Sequence, residues 1–245
     1  MQLTLPVGQG SVAIEYELAP QMVVFSHGFG VRRDARGMFS DIVAALPAGW
    51  GYVLFDYDVI DALANTQFVV GFNERLLRLE AVLTWVHLQD AVEHIHIVGH
   101  SMGALTAASL APEQTGAIIL LSPPLSLGLH FAELYTRRPG ASHEGHTWLI
   151  PRSDGTTTLA DDTILAELVS VDAEGELAKL ALFRPYTIIL ADSDEVLQDA
   201  DYTELITMPS VSMFTVERAD HDFSGTARAG LVDTVLSTLT SKSQT

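Results

Sequence analysis

Short apolar runs alternate with segments of helical spacing along most of this chain, and the pattern changes character in only two places. The first is the N-terminus. Gln2 to Val7 and Ser11 to Leu18 alternate apolar and polar residues around Gly8-Gln9-Gly10, which predicts an antiparallel hairpin at a sheet edge. Met22 to Ser26 is a continuous apolar run, as expected of a strand buried on both faces. Tyr52 to Phe55, Ile95 to Val98, Gly116 to Leu121, Tyr186 to Leu190 and Val211 to Val216 are predicted as further strands. Helices are predicted between them: Ala35 to Leu46, Asn73 to about Leu88, Met102 to Ala111, Asp199 to Ile206 and Phe223 to Leu239. Asn73 is the expected cap of the second, with Leu76, Leu77, Leu79, Glu80 and Leu83 on its inner face, and Thr240 to Thr245 is a polar tail.

The second change runs from Leu125 to Leu180, where the periodicity degrades and helical pieces are predicted only around Leu159 to Val169 and Glu174 to Leu182. Residues 125–180 therefore read as a lid insertion, too short for a core of its own, within one domain spanning 1–245. The alternation elsewhere predicts an α/β architecture with a mainly parallel, doubly wound sheet. Ligand chemistry in such sheets sits at the carboxyl ends of the strands.

Composition narrows the function classes. With 245 residues and 48% hydrophobic positions, the chain can bury a sizeable core. Its 31 acidic and 13 basic residues give a formal charge of -18, which disfavours nucleic acid, anionic membrane surfaces and strongly anionic substrates. The absence of cysteine excludes disulfides, thiolate metal sites and cysteine nucleophiles. No basic region followed by an apolar stretch opens the chain, and no window reaches the run of about 18 apolar residues that a span needs. A cytoplasmic protein is the expectation.

The candidate chemistry centres on Ile95 to Ala104, I-H-I-V-G-H-S-M-G-A, where a strand meets an Ala-rich helix through G-x-S-x-G. In that turn a serine between two glycines is forced out at the sheet edge, which makes Ser101 the candidate nucleophile. Its hydroxyl needs a base and an orienting acid. His221, just after the last strand, is the candidate base; His100 adjoins the serine but is expected to point away along the elbow. Asp194, in the loop after Tyr186 to Leu190, is the favoured acid, with Asp192 as runner-up because it leaves the strand too early. The oxyanion of a tetrahedral intermediate needs two backbone donors, for which the amides of Met102 and of Phe29, in His27-Gly28-Phe29-Gly30, are the candidates. That loop lacks the lysine of a P-loop and the third glycine of a dinucleotide fingerprint. His130, His143, His146 and Glu144 are spaced too irregularly to read as a metal site.

With Ser101, Asp194 and His221 in that chain order, the sequence resembles the α/β-hydrolase family, in particular small serine carboxylesterases and monoacylglycerol-lipase-like enzymes. The resemblance implies an eight-stranded sheet, no cofactor, and hydrolysis of a small-molecule ester through an acyl-enzyme; with the irregular histidine spacing, no metal is expected. The same triad also serves thioesterases, acyltransferases and carbon-carbon bond hydrolases, and a non-catalytic ligand-binding relative is a further reading. Two stretches depart from the family pattern. The segment after Asp56 lacks a glycine-rich turn, so Asn65 to Gly71 is expected to shape the pocket differently, and Trp148 to Gly155 has no assigned role. Phe131 and Trp148 are the candidate pocket-lining residues. Oligomeric state is not legible.

Overall fold

The computed structural model describes residues 1–8, 10–110, 115–127, 133, 136–152, 154–197 and 200–242. Its main sheet has eight strands: β1 (Gln2–Val7), β2 (Gly10–Glu17), β3 (Gln21–Ser26), β4 (Trp50–Phe55), β7 (His94–His100), β8 (Thr115–Leu121), β12 (Tyr186–Ala191) and β13 (Val211–Val216). Their spatial order is β1-β2-β4-β3-β7-β8-β12-β13. The N-terminal hairpin joins antiparallel through β2 to β4, and every other neighbouring pair is parallel. Strands β3 and β7 lie in the middle, which is why Met22, Val24, Ile97 and Val98 are wholly buried.

Helices cover both faces. On one side α2 (Phe72–His87), α3 (Met102–Leu110) and α5 (Ala173–Phe183) pack with Val24, Val53 and Ile188; on the other, α1 (Met38–Ala44) and α7 (Ala227–Lys242) pack with Val23, Phe25 and Ile189. Alternation along a single strand thus serves two separate cores. Helices α1 and α7 begin later than their periodicity predicts, at Met38 and Ala227, after loops with left-handed residues at Ala35, Arg36 and Gly37, and at Phe223 and Gly225. The short helix before β13, α6, covers only Thr203–Ile206; its expected start at Asp199 lies outside the described residues.

Two expectations for α2 are corrected. Its N-cap is Gly71, without a side-chain cap, so Asn73 lies inside the first turn. Its inner face is Phe72, Arg75, Leu79, Val82, Leu83 and Val86, whereas Leu77 and Glu80 face solvent. A guanidinium therefore occupies a place where an apolar residue is expected.

The degraded stretch also holds more than helices. Besides α4 (Asp162–Val169) and α5 it contributes β9 (Ser142–Glu144), β10 (Thr147–Pro151) and β11 (Thr157–Asp161). These join β5 (Val59–Asp61) and β6 (Thr66–Phe68) in a five-stranded sheet ordered β5-β6-β11-β10-β9. Its apolar side chains Ile150 and Ala160, with Leu165 and Leu168 of α4, share one cluster with Phe29, Met102 and Leu105 of the elbow region. The second sheet is thereby seated on the loops that surround Ser101.

Candidate active site

Ser101 stands between β7 and α3 with φ of 53°, a left-handed conformation that a serine holds only when its surroundings impose it. The flanking glycines explain how. A Cβ on Gly103 would lie 2.1 Å from the Ser26 carbonyl and 2.4 Å from that of His27, and one on Gly99 would lie 2.6 Å from the Ala104 Cα. Strand and helix can cross this closely only without those side chains. The Ser101 amide donates to the Leu121 carbonyl at 2.8 Å, tying the turn to β8.

His221 and Asp194 arrive from the ends of β13 and β12. His221 Nε2 lies 3.0 Å from Ser101 Oγ, and its Nδ1 lies 2.8 Å and 3.0 Å from the two Asp194 oxygens. Because a carboxylate can only accept, Nδ1 carries the proton and Nε2 is left to accept from the serine hydroxyl. Burial pushes the Asp194 carboxyl up, but the hydrogen bond from His221, its charge, and the Leu197 and Val196 amides outweigh this and hold it below its ordinary value. The acid thus stays ionised beside the imidazole. Asp192 does different work: its Oδ1 accepts from the Ala219 amide at 3.1 Å and stitches the two loops together. Glu195 does likewise through the His221 amide at 3.0 Å.

His100 does not simply point away. Its Nε2 lies 2.8 Å from the His221 carbonyl, with the two rings 4.9 Å apart. Burial, then the neighbouring His221, pushes its pKa down to about 4. It is a neutral donor that braces the loop carrying His221, a role that adjacency in sequence does not reveal.

The His27-Gly28-Phe29-Gly30 loop lies against the serine: a Cβ on Gly28 would meet Ser101 Cβ at 3.3 Å. His27 Nε2 accepts from the Tyr57 amide at 2.9 Å, so its Nδ1 holds the proton and donates to the Gly28 carbonyl at 2.9 Å. Burial, then the Arg75 guanidinium, hold this imidazole well below its ordinary pKa. In a trans peptide C=O and N–H point in opposite directions. The Gly28 carbonyl faces the His27 ring, so the Phe29 N–H faces away from it. Arg152, from the unassigned stretch, donates through Nη2 to the Phe29 and Gly30 carbonyls at 3.0 and 2.7 Å.

Beneath this loop Arg75 is fully buried on α2. Its Nη2 donates to the His27 carbonyl, Nη1 lies 3.8 Å from Asp58 Oδ1, and the guanidinium sits 3.8 Å from the Tyr57 ring centroid. Met102 is wholly buried next to Ser101, with its side chain in the cluster shared with the second sheet. Trp148 lies on β10, its indole donating to Asp162 at 3.1 Å and stacked on His143. His143 and His146 both face Asp162, at 3.0 and 3.6 Å. Phe131 and His130 lie outside the described residues.

A family model described as the alpha/beta hydrolase family matches residues 23–234. The chain belongs to the alpha/beta hydrolase family. Among solved structures of this fold, Est1E from Butyrivibrio proteoclasticus superposes with a TM-score of 0.73 at 15% identity, covering 100% of this chain and 99% of that one. The esterase domain of a Rhodothermus marinus protein gives 0.68 at 18%, covering 97% and 96%. The alpha/beta hydrolase GrgF from Penicillium sp. sh18 gives 0.75 at 15%, covering 99% and 98%. No curated protein sequence matches the chain. Among the described residues, no helix of this hydrolase-family chain is long and apolar enough to cross a membrane.

Proposed function

We propose that the chain is a serine hydrolase that cleaves carboxylic esters of small molecules through an acyl-enzyme. One observation carries this reading: His221 bridges Ser101 Oγ at 3.0 Å and Asp194 at 2.8 Å. His221 takes the hydroxyl proton as Ser101 attacks the ester carbonyl, and the Asp194 carboxylate orients and stabilises the imidazolium. The amides of Phe29 and Met102 receive the oxyanion. His221 returns its proton to the departing alcohol, then activates the water that releases the acid. Residues 125–180 act as the lid of this site, and Arg152 lends rigidity to the oxyanion loop from the lid side.

The reading is tested by intact-mass spectrometry after treatment with a fluorophosphonate probe, followed by peptide mapping. One adduct on Ser101, absent from Ser101→Ala, is expected. Folded protein that takes no adduct and hydrolyses no 4-nitrophenyl ester would sink the reading.

A further inference from the structure

Residues 217–226 carry His221 from β13 to α7 and form neither strand nor helix. Their peptide groups therefore need partners from elsewhere. The successive carbonyls of His221, Asp222 and Phe223 each accept from a side chain. His100 Nε2 serves the first at 2.8 Å. Arg228 serves the other two, through Nη2 to Asp222 at 3.1 Å and through Nε to Phe223 at 2.8 Å. One guanidinium thus clasps the 222–223 and 223–224 peptides. Phe223 needs such a hold. It stands at φ of 49°, a left-handed conformation that a bulky residue adopts only under constraint, and its side chain is wholly buried in the cluster that packs α1 and α7 on the sheet.

The placement of Arg228 is not what its own helix favours. It is the second residue of α7, whose first turn holds no carboxylate, and a cation at a helix N-terminus works against the helix dipole. Its remaining nitrogen, Nη1, donates to Asp41 Oδ2 of α1 at 2.8 Å. That ion pair is weak by position: the Asp41 side chain is 56% exposed, against 15% for Arg228, so water screens it. The bonds from Nε and Nη2 are partly buried, and both go to the loop that carries His221. Arg36 completes the arrangement by meeting the Asp222 carboxylate from the loop before α1.

We propose that Arg228 is a positioning residue for His221: its planar fork fixes the peptides of residues 222–224, and through them the imidazole between Ser101 and Asp194. The catalytic consequence rests on the Ser101 reading of the preceding subsection; the placement of the ring does not. A guanidinium offers Nε–H and Nη2–H side by side in one plane, which a single ammonium cannot reproduce. Lysine does keep the charge that faces Asp41. Aligning His221 and pinning α7 to α1 are therefore roles that rank the same variants in opposite order.

The test compares Arg228→Lys, Arg228→Gln and Asp41→Asn with wild type, in hydrolysis of 4-nitrophenyl pentanoate and in the rate of fluorophosphonate labelling. Both kcat and the labelling rate should fall about fivefold or more in Arg228→Lys and about tenfold or more in Arg228→Gln, with KM held within about twofold. Asp41→Asn should stay within about twofold of wild type in all three quantities. Full activity in Arg228→Lys, a loss in Asp41→Asn equal to that in Arg228→Lys, or a loss carried by KM overturns the proposal and leaves the hydrolase reading standing. If wild type takes no adduct and turns over no ester, the hydrolase reading fails on its own, and the Nδ1 proton of His221 decides the positioning in isotope-edited NMR spectra of histidine-labelled protein. A hydrogen-bonded Nδ1 resonance that is present in wild type and Asp41→Asn, and lost or shifted in both Arg228 variants, supports it. One that is absent from wild type, or identical in wild type and both Arg228 variants, overturns it.

Discussion

His100 Nε2 donates to the main-chain carbonyl of His221 at 2.8 Å, so the residue before Ser101 holds the loop that carries His221. The bond joins β7 to the end of β13 across 121 residues of chain, in a site where both residues are buried. His100→Leu removes the donor and leaves that carbonyl unpaired, at a cost of about 1–3 kcal/mol in stability. Ester turnover should fall about tenfold in kcat with little change in KM, because the misplaced group acts in the reaction rather than in binding. His100→Gln, which keeps an N–H donor, should recover most of kcat. Steady-state kinetics of both variants against 4-nitrophenyl pentanoate check this.

The strained backbone of Ser101 separates stability from activity. Ser101→Ala and Ser101→Gly both remove the hydroxyl and should lower turnover by at least about 10⁴-fold. Only the glycine relieves φ of 53°. Left-handed strain costs about 1–3 kcal/mol at a non-glycine residue, and a glycine adds about 0.5–1 kcal/mol of unfolded-state entropy. Ser101→Gly should therefore be more stable than Ser101→Ala by about 1 kcal/mol. Equal urea midpoints for the two would show that the elbow stores no such strain.

The parts of the fold that the sequence makes legible are those where one physical requirement dominates. Central parallel strands such as Met22 to Ser26 must be apolar on both faces, and the elbow needs glycines where a Cβ would strike Ser26 and Ala104. The second sheet obeys no such single demand. Strand β9 is exposed at all three positions, and β5 at two with the third half-buried, so neither shows a period-two pattern. Asn73 has the residue type of a cap but sits two residues past the cap position, Gly71. Arg75 is hidden for the opposite reason: the leucines around it offer a plausible apolar face, and only the tertiary position of Asp58, Tyr57 and the His27 carbonyl makes a buried guanidinium tolerable. Bracing contacts such as His100 to His221 link residues far apart in the chain, which local pattern cannot report.

Stability should fall as pH drops from neutral, because His27, His96 and His100 are buried and held below their ordinary value. Burial and nearby imidazoles lower both His96 and His100 to about 4, against an ordinary value of 6.5. Between those values the unfolded chain takes up a proton on each residue and the folded chain does not, so lowering the pH favours unfolding. Above 6.5 both states are neutral at these positions and the penalty vanishes. Each histidine contributes on the order of 2–3 kcal/mol across the window. Urea unfolding of wild type and His96→Asn at pH 7.5 and pH 4.5 measures one of them. The loss on acidification should be smaller in the variant, and an identical loss would remove His96 from the account.

Arg75 is predicted to be costly to remove alone and cheap to remove with its partner. Its guanidinium has no access to solvent and is compensated by the Asp58 carboxylate at 3.8 Å, the Tyr57 face, Thr106 Oγ1 at 3.4 Å and the His27 carbonyl. Arg75→Met leaves Asp58 buried without its guanidinium, hydrogen-bonded among the described residues to the Gln67 amide and the Val70 N–H, a loss of about 3–5 kcal/mol. Asp58→Asn alone strands the guanidinium and should also destabilise. Combining the two substitutions removes both buried charges, so the double variant should be more stable than Arg75→Met by about 1–3 kcal/mol. Activity should not follow. The His27 carbonyl loses its donor in Arg75→Met and in the double variant alike, and His27 sets the orientation of the 28–29 peptide. Turnover should therefore stay low in the double variant while its urea midpoint recovers. Joint recovery of both would mean that Arg75 serves the core and not the His27–Gly30 loop.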